Sequence, residues 1–219
     1  MARRPVKPLQ PSREERRAFL AECFTEAVEP MLEAGETYSA LSVERLITAV
    51  DISRSTFYAY FDDKGDLLGA MTETVTRDLE QAGRAWFELS PSATRADLRE
   101  ALQRLFGVYR RHKTILRAIT EMAGYDQRVR VQHLALIERA VSGLRDHIAR
   151  HQAAGAAAPE LDPEHTARWI VWMLERGLDQ FAGHAPDAEM SAALDCTTAF
   201  LWRALYEGYK PADPPARTG

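Results

Sequence analysis

Between Ser42 and Lys64 the chain reads SVERLITAVDISRSTFYAYFDDK, and no other stretch narrows its architecture as much. Ser42 is placed to cap a short helix that runs to about Val50, because a serine hydroxyl satisfies an otherwise unpaired amide at a helix start. Asp51 falls in the turn, and Ser53 caps a second short helix over about Arg54 to Tyr60. Asp62 or Asp63 then caps a longer helix through Leu67, Leu68, Met71, Val75 and Leu79 towards Trp86. Two short helices joined by a tight turn, the second rich in small hydroxyls and aromatics, are predicted.

The remaining punctuation is also helical, with no convincing strand alternation. Ser12 followed by Glu15 reads as a capping box that starts a helix near Arg13. Its apolar positions Phe19, Leu20, Phe24, Ala27, Val28 and Met31 keep helical period until Gly35. After the Ser90-Pro91-Ser92 break, Leu98, Ala101, Leu102, Leu105, Phe106 and Tyr109 form one stripe. A helix of about a dozen residues is expected from near Thr114, and another from about Asp126 to Gln152. The latter turns His133, Leu136, Ile137, Ala140, Val141, Leu144 and Ile148 inward. AAGAAAPELDP is a loop, and Pro163 suits the first turn of a helix to about Gly183. A last helix spans about Asp187 to Tyr209. The expectation is an all-α protein of nine helices. Residues 1–12 form a disordered basic arm, 13–62 a three-helix unit, 63–210 a larger helical domain and 211–219 a disordered tail.

Composition excludes several classes. A 46% hydrophobic content suffices for a sizeable core. No apolar run approaches the roughly 20 residues of a membrane span, so no membrane partner is expected. The opening MARRPVKPLQP has no apolar stretch behind its arginines and does not read as a secretory signal. Cys23 and Cys196 suggest no disulfide framework, and each is expected to pack as a small buried residue in a reducing cytoplasm. No glycine-rich phosphate loop, nucleophile elbow or catalytic carboxylate pair occurs. His147 and His151 have metal-ligand spacing, but no HExxH surrounds them, and Arg145, Asp146 and Arg150 read as a solvated face. Neither an enzyme, a metal nor a cofactor is expected.

The net charge is −4, yet Arg3, Arg4, Lys7, Arg13, Arg16 and Arg17 face only Glu14 and Glu15 near the start. Such an arm either attracts phosphates or serves as a solubilising tail. Residues 1–65 as a whole hold nine Lys/Arg against eleven Asp/Glu. In a helix-turn-helix the second helix lies in the major groove of DNA and the first crosses the backbone. Arg54 is then the best base-reading candidate, since a guanidinium bonds guanine in bidentate fashion. Ser42 and Ser53 as caps, and the hydroxyls of Ser55, Thr56, Tyr58 and Tyr60, would position the helix on phosphates or touch bases. Lys64 and the amides at the start of the following helix are placed to meet a phosphate. Phe57 and Phe61 should point inward. Composition alone fits an ordinary bundle equally well, and a helical adaptor without DNA function stays open.

The Ser42 cap, the Ile52-Ser53 pair, Tyr58, and Phe61 followed three residues later by Lys64 resemble the N-terminal domain of the TetR family of repressors. The turn glycine usual in that family is Asp51 here, which tolerates a left-handed backbone. The acidic residue usual after the lysine is replaced by Gly65, with Asp66 next. Looser likeness to one ligand-responsive member continues through His112-Lys113, Gly155-Ala156-Ala157, Glu175-Arg176, Phe181-Ala182-Gly183 and Trp202.

The resemblance implies a homodimer on a palindromic double-stranded operator, released by a small, largely apolar effector. It places the effector against Leu98, Leu102, Leu105, Tyr109, His133, Ile137, Val171, Leu174, Glu175, Leu178 and Trp202. The relative carries asparagines at the positions of Val171 and Leu174, so this pocket should be more apolar, with Tyr109, His133 and Glu175 as polar handles. From sequence alone a solid core fits these stripes equally, and Glu175 fits a structural arginine partner equally. The helices ending near Gly183 and Tyr209 each have a second apolar face: Trp169, Trp172, Met173, Arg176 and Gln180 on one, Thr197, Phe200, Leu201 and Ala204 on the other. A symmetric four-helix dimer interface would cover both.

Overall fold

The computed structural model describes residues 11–181 and 185–206, all of its regular structure helical. Among these residues there are eight α-helices: α1 (Arg13–Glu33), α2 (Val43–Val50), α3 (Arg54–Tyr60), α4 (Lys64–Phe87), α5 (Arg95–Ala123), α6 (Gln127–Ala153), α7 (Pro163–Gln180) and α8 (Asp187–Leu205). A 3-10 turn at Tyr38–Ala40 precedes α2. The expected arm before residue 11, the Ala182-Gly183 pair, the end of the last helix and the tail lie outside the described residues. The chain divides into two compact units, residues 1–75 with 114–130, and residues 76–113 with 131–219.

The first unit holds α1, α2, α3, the start of α4, the end of α5 and the start of α6. The Ser12–Glu15 capping box forms in both directions and starts α1, which ends ahead of Gly35 at φ 95°. Ser42 Oγ accepts the Arg45 amide and Ser53 Oγ accepts the Thr56 amide, which starts α2 and α3. Between them Asp51 adopts φ 55°, ψ 48°, the left-handed conformation required by the turn. An aromatic cluster joins α1 to α3: Phe24 meets Phe57 and Phe61 edge-on at ring separations of 6.0 and 5.9 Å. Tyr38, from the unexpected 3-10 turn, is buried and donates its hydroxyl to the Lys64 carbonyl at 2.6 Å.

The second unit holds the rest of α4 and α5, most of α6, and α7 and α8. Its core includes Trp86, Leu98, Leu102, Phe106, Val141, Leu144, Ile148, Ile170, Leu174, Leu194 and Leu201. Asp162 caps α7 by accepting the His165 amide, with Pro163 in the first turn as expected. Gly143 on α6 admits the Phe87 ring, since a β-carbon there would stand 2.7 Å from Phe87 Cδ2.

The break expected before Thr114 is absent, and α5 runs unbroken through it. Leu102, Phe106, Tyr109, His112, Leu116 and Ile119 are all buried at spacings of three and four, so the apolar stripe never pauses. His112, just before the expected break, is buried and bonds Asp78 at 3.0 Å.

His147 and His151 also depart from expectation. Both are buried, not solvated, with rings 4.0 Å apart. His147 Nδ1 donates to the Phe87 carbonyl at 3.0 Å, so Nε2 accepts the Tyr206 hydroxyl at 2.6 Å; that hydroxyl in turn accepts Trp86 Nε1–H at 3.1 Å. Arg150 and Asp146 are exposed as expected, although Arg150 also donates to the Phe87 carbonyl that His147 binds. Cysteine burial is corrected as well: Cys23 is half-buried and Cys196 exposed.

Candidate functional site

The candidate nucleic-acid interface is the outer face of α3. Arg54, Ser55 and Tyr58 are exposed and Thr56 and Tyr60 half-buried, while Phe57 is fully buried. One helix therefore shows a polar, hydroxyl-rich face outward and anchors itself by a single phenyl ring. The Ser53 hydroxyl also meets those of Ser55 and Thr56, each at 2.8 Å, forming a small cluster at the start of the helix.

The far end of α3 is held by basic side chains of α1. Arg13 Nη2 donates to the Ala59 carbonyl at 2.8 Å, and Arg17 Nε to the Tyr60 carbonyl at 3.2 Å. Arg17 also pairs with Asp66 at 2.5 Å and lies 5.2 Å above the Phe61 ring. Cations at a helix C-terminus satisfy its unpaired carbonyls and match its partial negative charge. Arg13 and Arg17, counted in sequence with the phosphate-attracting arm, are thus clamps on the candidate reading helix.

The expected cations Arg54 and Lys64 already have protein partners, as does Arg45, which was not among the expected contacts. Arg54 Nη1 bonds Glu44 Oε1 at 2.6 Å, and Arg45 Nη2 bonds Glu36 Oε1 at 2.9 Å. Lys64 Nζ donates to the carbonyls of Ser39 and Leu41. The ammonium thus ties the start of α4 to the 3-10 turn. Despite Gly65, that start is well capped: Asp63 Oδ1 takes the Asp66 amide at 2.7 Å, and Asp66 Oδ2 takes the Asp62 amide at 3.1 Å. Arg128 bridges Asp63 at 3.1 Å and Asp126 at 2.8 Å. A β-carbon at residue 65 would stand 2.8 Å from Asp126 Oδ2, so the glycine makes room for this bridge. Burial opposes ionisation of Asp63, but the Asp66 amide and the Arg128 guanidinium hold its carboxyl below the usual range.

In the second unit, the residues suggested for an effector fall into two sets. Leu98, Leu102, Tyr109, Ile137, Val171, Leu174 and Leu178 are buried; Leu105, His133, Glu175 and Trp202 are half-buried. The polar members surround Arg176 and Asp179. Burial raises the Tyr109 hydroxyl pKa, with Asp179 and Glu175 adding to it, and burial lowers that of His133, with Arg176 adding. Burial also raises the Glu175 carboxyl, which Arg176 opposes. Arg176 Nε stands 3.9 Å from Glu175 Oε2, too far for a hydrogen bond. That oxygen and His133 Nδ1 are accordingly buried without a hydrogen-bond partner among the described residues.

On α7 and α8, Trp169, Met173, Arg176, Gln180, Phe200 and Ala204 are exposed, and Trp172 and Thr197 half-buried. Leu201 is the exception within this set. It is fully buried, because Leu194, Thr198, Leu201 and Leu205 recur on the inner stripe of α8. Beside this face lies an open apolar groove of about 210 Å³ with Phe106, Leu174 and Leu178 among its lining and Met173, Phe181 and Phe200 exposed. Phe106 and Phe181 were not among the suggested residues.

Among the described residues no helix is long and apolar enough to cross a membrane. A short exposed helix set behind a left-handed turn, joined to a larger helical domain, is the build of a helix-turn-helix regulator. Residues 32–71 match the family described as bacterial regulatory proteins, tetR family, and residues 98–207 match the C-terminal domain of the transcriptional regulator EthR. The second match spans half of the 219 residues, and the chain belongs to the TetR family of transcriptional regulators, with a C-terminal domain of the EthR type.

Solved structures share the fold. A TetR-family regulator from Mesorhizobium loti has a TM-score of 0.68 at 18% identity, over 90% of this chain and 100% of its own. PfmR from Thermus thermophilus has 0.62 at 21%, over 86% and 97%. A regulator from Saccharomonospora viridis in complex with choline has 0.68 at 16%, over 89% and 100%. No curated protein matches the chain.

Proposed function

We propose that the chain is a ligand-responsive repressor. It binds a roughly palindromic operator as a homodimer in the cytoplasm and leaves it when a small, largely apolar effector is bound. Residues 13–62 read DNA, assisted by the arm at 1–12, and residues 63–210 hold effector and partner subunit. The observation that carries this reading is the two-faced α3, with Phe57 buried and Arg54, Ser55 and Tyr58 presented outward. A dimer supplies two such helices, which need a spacing of about 34–36 Å to enter successive major grooves. Exposed Trp169, Met173 and Phe200 favour a partner subunit as their cover.

The effector would lie against the aliphatic set that includes Val171 and Leu174, with its polar end at Tyr109, His133 and Glu175. The unpartnered Glu175 Oε2 and His133 Nδ1 favour a ligand that brings a hydrogen-bond donor to Glu175. The choline held by one neighbour of this fold supports a small-molecule role for the domain. The effector acts by preferring the arrangement in which the two heads no longer match the grooves, a coupling of about 1–3 kcal/mol in typical cases.

The test is fluorescence anisotropy on a labelled duplex from the chain's own upstream region, with a panel of medium-chain amines, alcohols and esters. Release by compounds that also raise the melting temperature is expected. Ligands that raise the melting temperature and leave DNA bound would overturn induction. A second reading, a helical adaptor, draws on the pairing of Arg45 and Arg54 with carboxylates and on the acidic balance of residues 1–65. It predicts equal, weak binding to every duplex.

A further inference from the structure

Glu44 was no part of the expected interface, yet it makes the ion pair that fixes Arg54. Its carboxylate, in the first turn of α2, accepts Arg54 Nη1 at 2.6 Å, while the guanidinium lies 5.7 Å above the Tyr58 ring. Arg54 is therefore held on one corner by a charge and on one face by an aromatic. Among the described residues Nε and Nη2 form no hydrogen bond, which leaves the side-on edge of the fork open. A guanidinium has five donors in a rigid plane, so one corner can be held while another edge donates to both acceptors of a guanine.

We infer that Glu44 is a positioning residue for base reading: it orients Arg54 so that its Nε–Nη2 edge meets a single guanine in each half-site. The inference rests on the DNA-reading proposal. Three physical points support it. A long arginine side chain samples many rotamers, and pinning it before contact removes that cost from the specific complex. The pair itself is solvent-exposed, with side-chain exposures of 63% and 60%, and so contributes little to folding stability. A carboxylate close to the DNA backbone also repels phosphate, which weakens binding to every sequence. Glu44 would thus trade nonspecific affinity for selectivity, and removing it should move the two in opposite directions.

The experiment is selection from a randomised duplex library by the full-length wild type, Glu44→Gln, Arg54→Ala and the double variant, read by sequencing. Binding of the library without selection is measured alongside. Wild type should enrich a palindrome with one guanine per half-site that Arg54→Ala loses. Glu44→Gln should lose most of the preference at that same position, roughly tenfold, within the range a bidentate pair supplies, and leave other positions unchanged. Its binding to unselected library should rise. In the Arg54→Ala background Glu44→Gln should change no base preference. Full retention of the guanine preference by Glu44→Gln, or uniform loss at all positions, would overturn the role of Glu44 and leave DNA reading intact. Absence of any enriched motif with wild type would overturn both.

Discussion

Arg17 on α1 and Asp66 on α4 meet at 2.5 Å, and the same guanidinium donates to the Tyr60 carbonyl at the end of α3. One side chain thereby ties three helices of the head together beneath the candidate reading surface. Arg17→Ala should lower the stability of the head by about 1–3 kcal/mol, the scale of charge-assisted bonds removed from a partly buried site. Denaturant unfolding followed by far-ultraviolet dichroism checks this. Operator affinity should fall with it, although Arg17 faces the protein and not the DNA.

The buried histidine pair predicts a pH dependence. Burial lowers the His147 pKa to about 4, helped by His151 and Arg150 and opposed by the Phe87 carbonyl. The unfolded chain then binds more protons than the folded one between about pH 6.5 and 4. Stability associated with His147 is full above that window and is lost as pH falls through it, up to about 3 kcal/mol. Urea midpoints at pH 7.5 and pH 5 should differ in the wild type and differ less in His147→Gln, whose uncharged amide does not titrate. His133, lowered by burial, has the same sign and remains in both proteins.

Two glycines on helices should respond oppositely to alanine. At Gly143 a β-carbon would stand 2.7 and 2.9 Å from Phe87 ring atoms, whereas at Gly107 nothing lies within 4 Å. Gly107→Ala should stabilise by up to about 1 kcal/mol through helix propensity. Gly143→Ala gains the same propensity but must displace the ring, an overpacking cost of about 1–3 kcal/mol that makes its net effect destabilising. Thermal melts of the two variants decide it.

The exposed face of α7 and α8 makes the proposed dimer testable. Trp169 is 78% and Phe200 51% exposed in the single chain. Phe200→Asp should shift sedimentation from dimer to monomer and weaken operator binding at least tenfold, since losing a central aromatic anchor costs about 2 kcal/mol or more. An unchanged dimer would move the interface elsewhere.

Helix starts were legible because capping is local. Ser12, Ser42 and Ser53 each act within three residues of sequence, and Asp51 in the turn tolerates its positive φ. The inward Phe57 and Phe61 were legible from helical period. What the pattern hid was long-range pairing. A new helix was expected near Thr114, yet His112 just before it lies on the buried stripe and its partner Asp78 sits on another helix. His147 reads as solvated beside Arg145, Asp146 and Arg150 until Tyr206 and Phe87 are brought to its two nitrogens. Glu44 and Arg54 are ten residues apart with a turn between them, a spacing no periodicity marks. Their partnership depends on the angle at which the turn sets α3 against α2.

The central claim is that the exposed face of α3 reads sequence through Arg54. Fluorescence anisotropy of the protein on its own upstream duplex and on a scrambled duplex, across a salt series, tests it most directly. The prediction is tighter binding to the upstream duplex at every salt, with Arg54→Ala reduced to the scrambled level and its fold intact by circular dichroism. Equal affinity of the wild type for both duplexes, falling together with salt, or an Arg54→Ala variant that still discriminates, would contradict it.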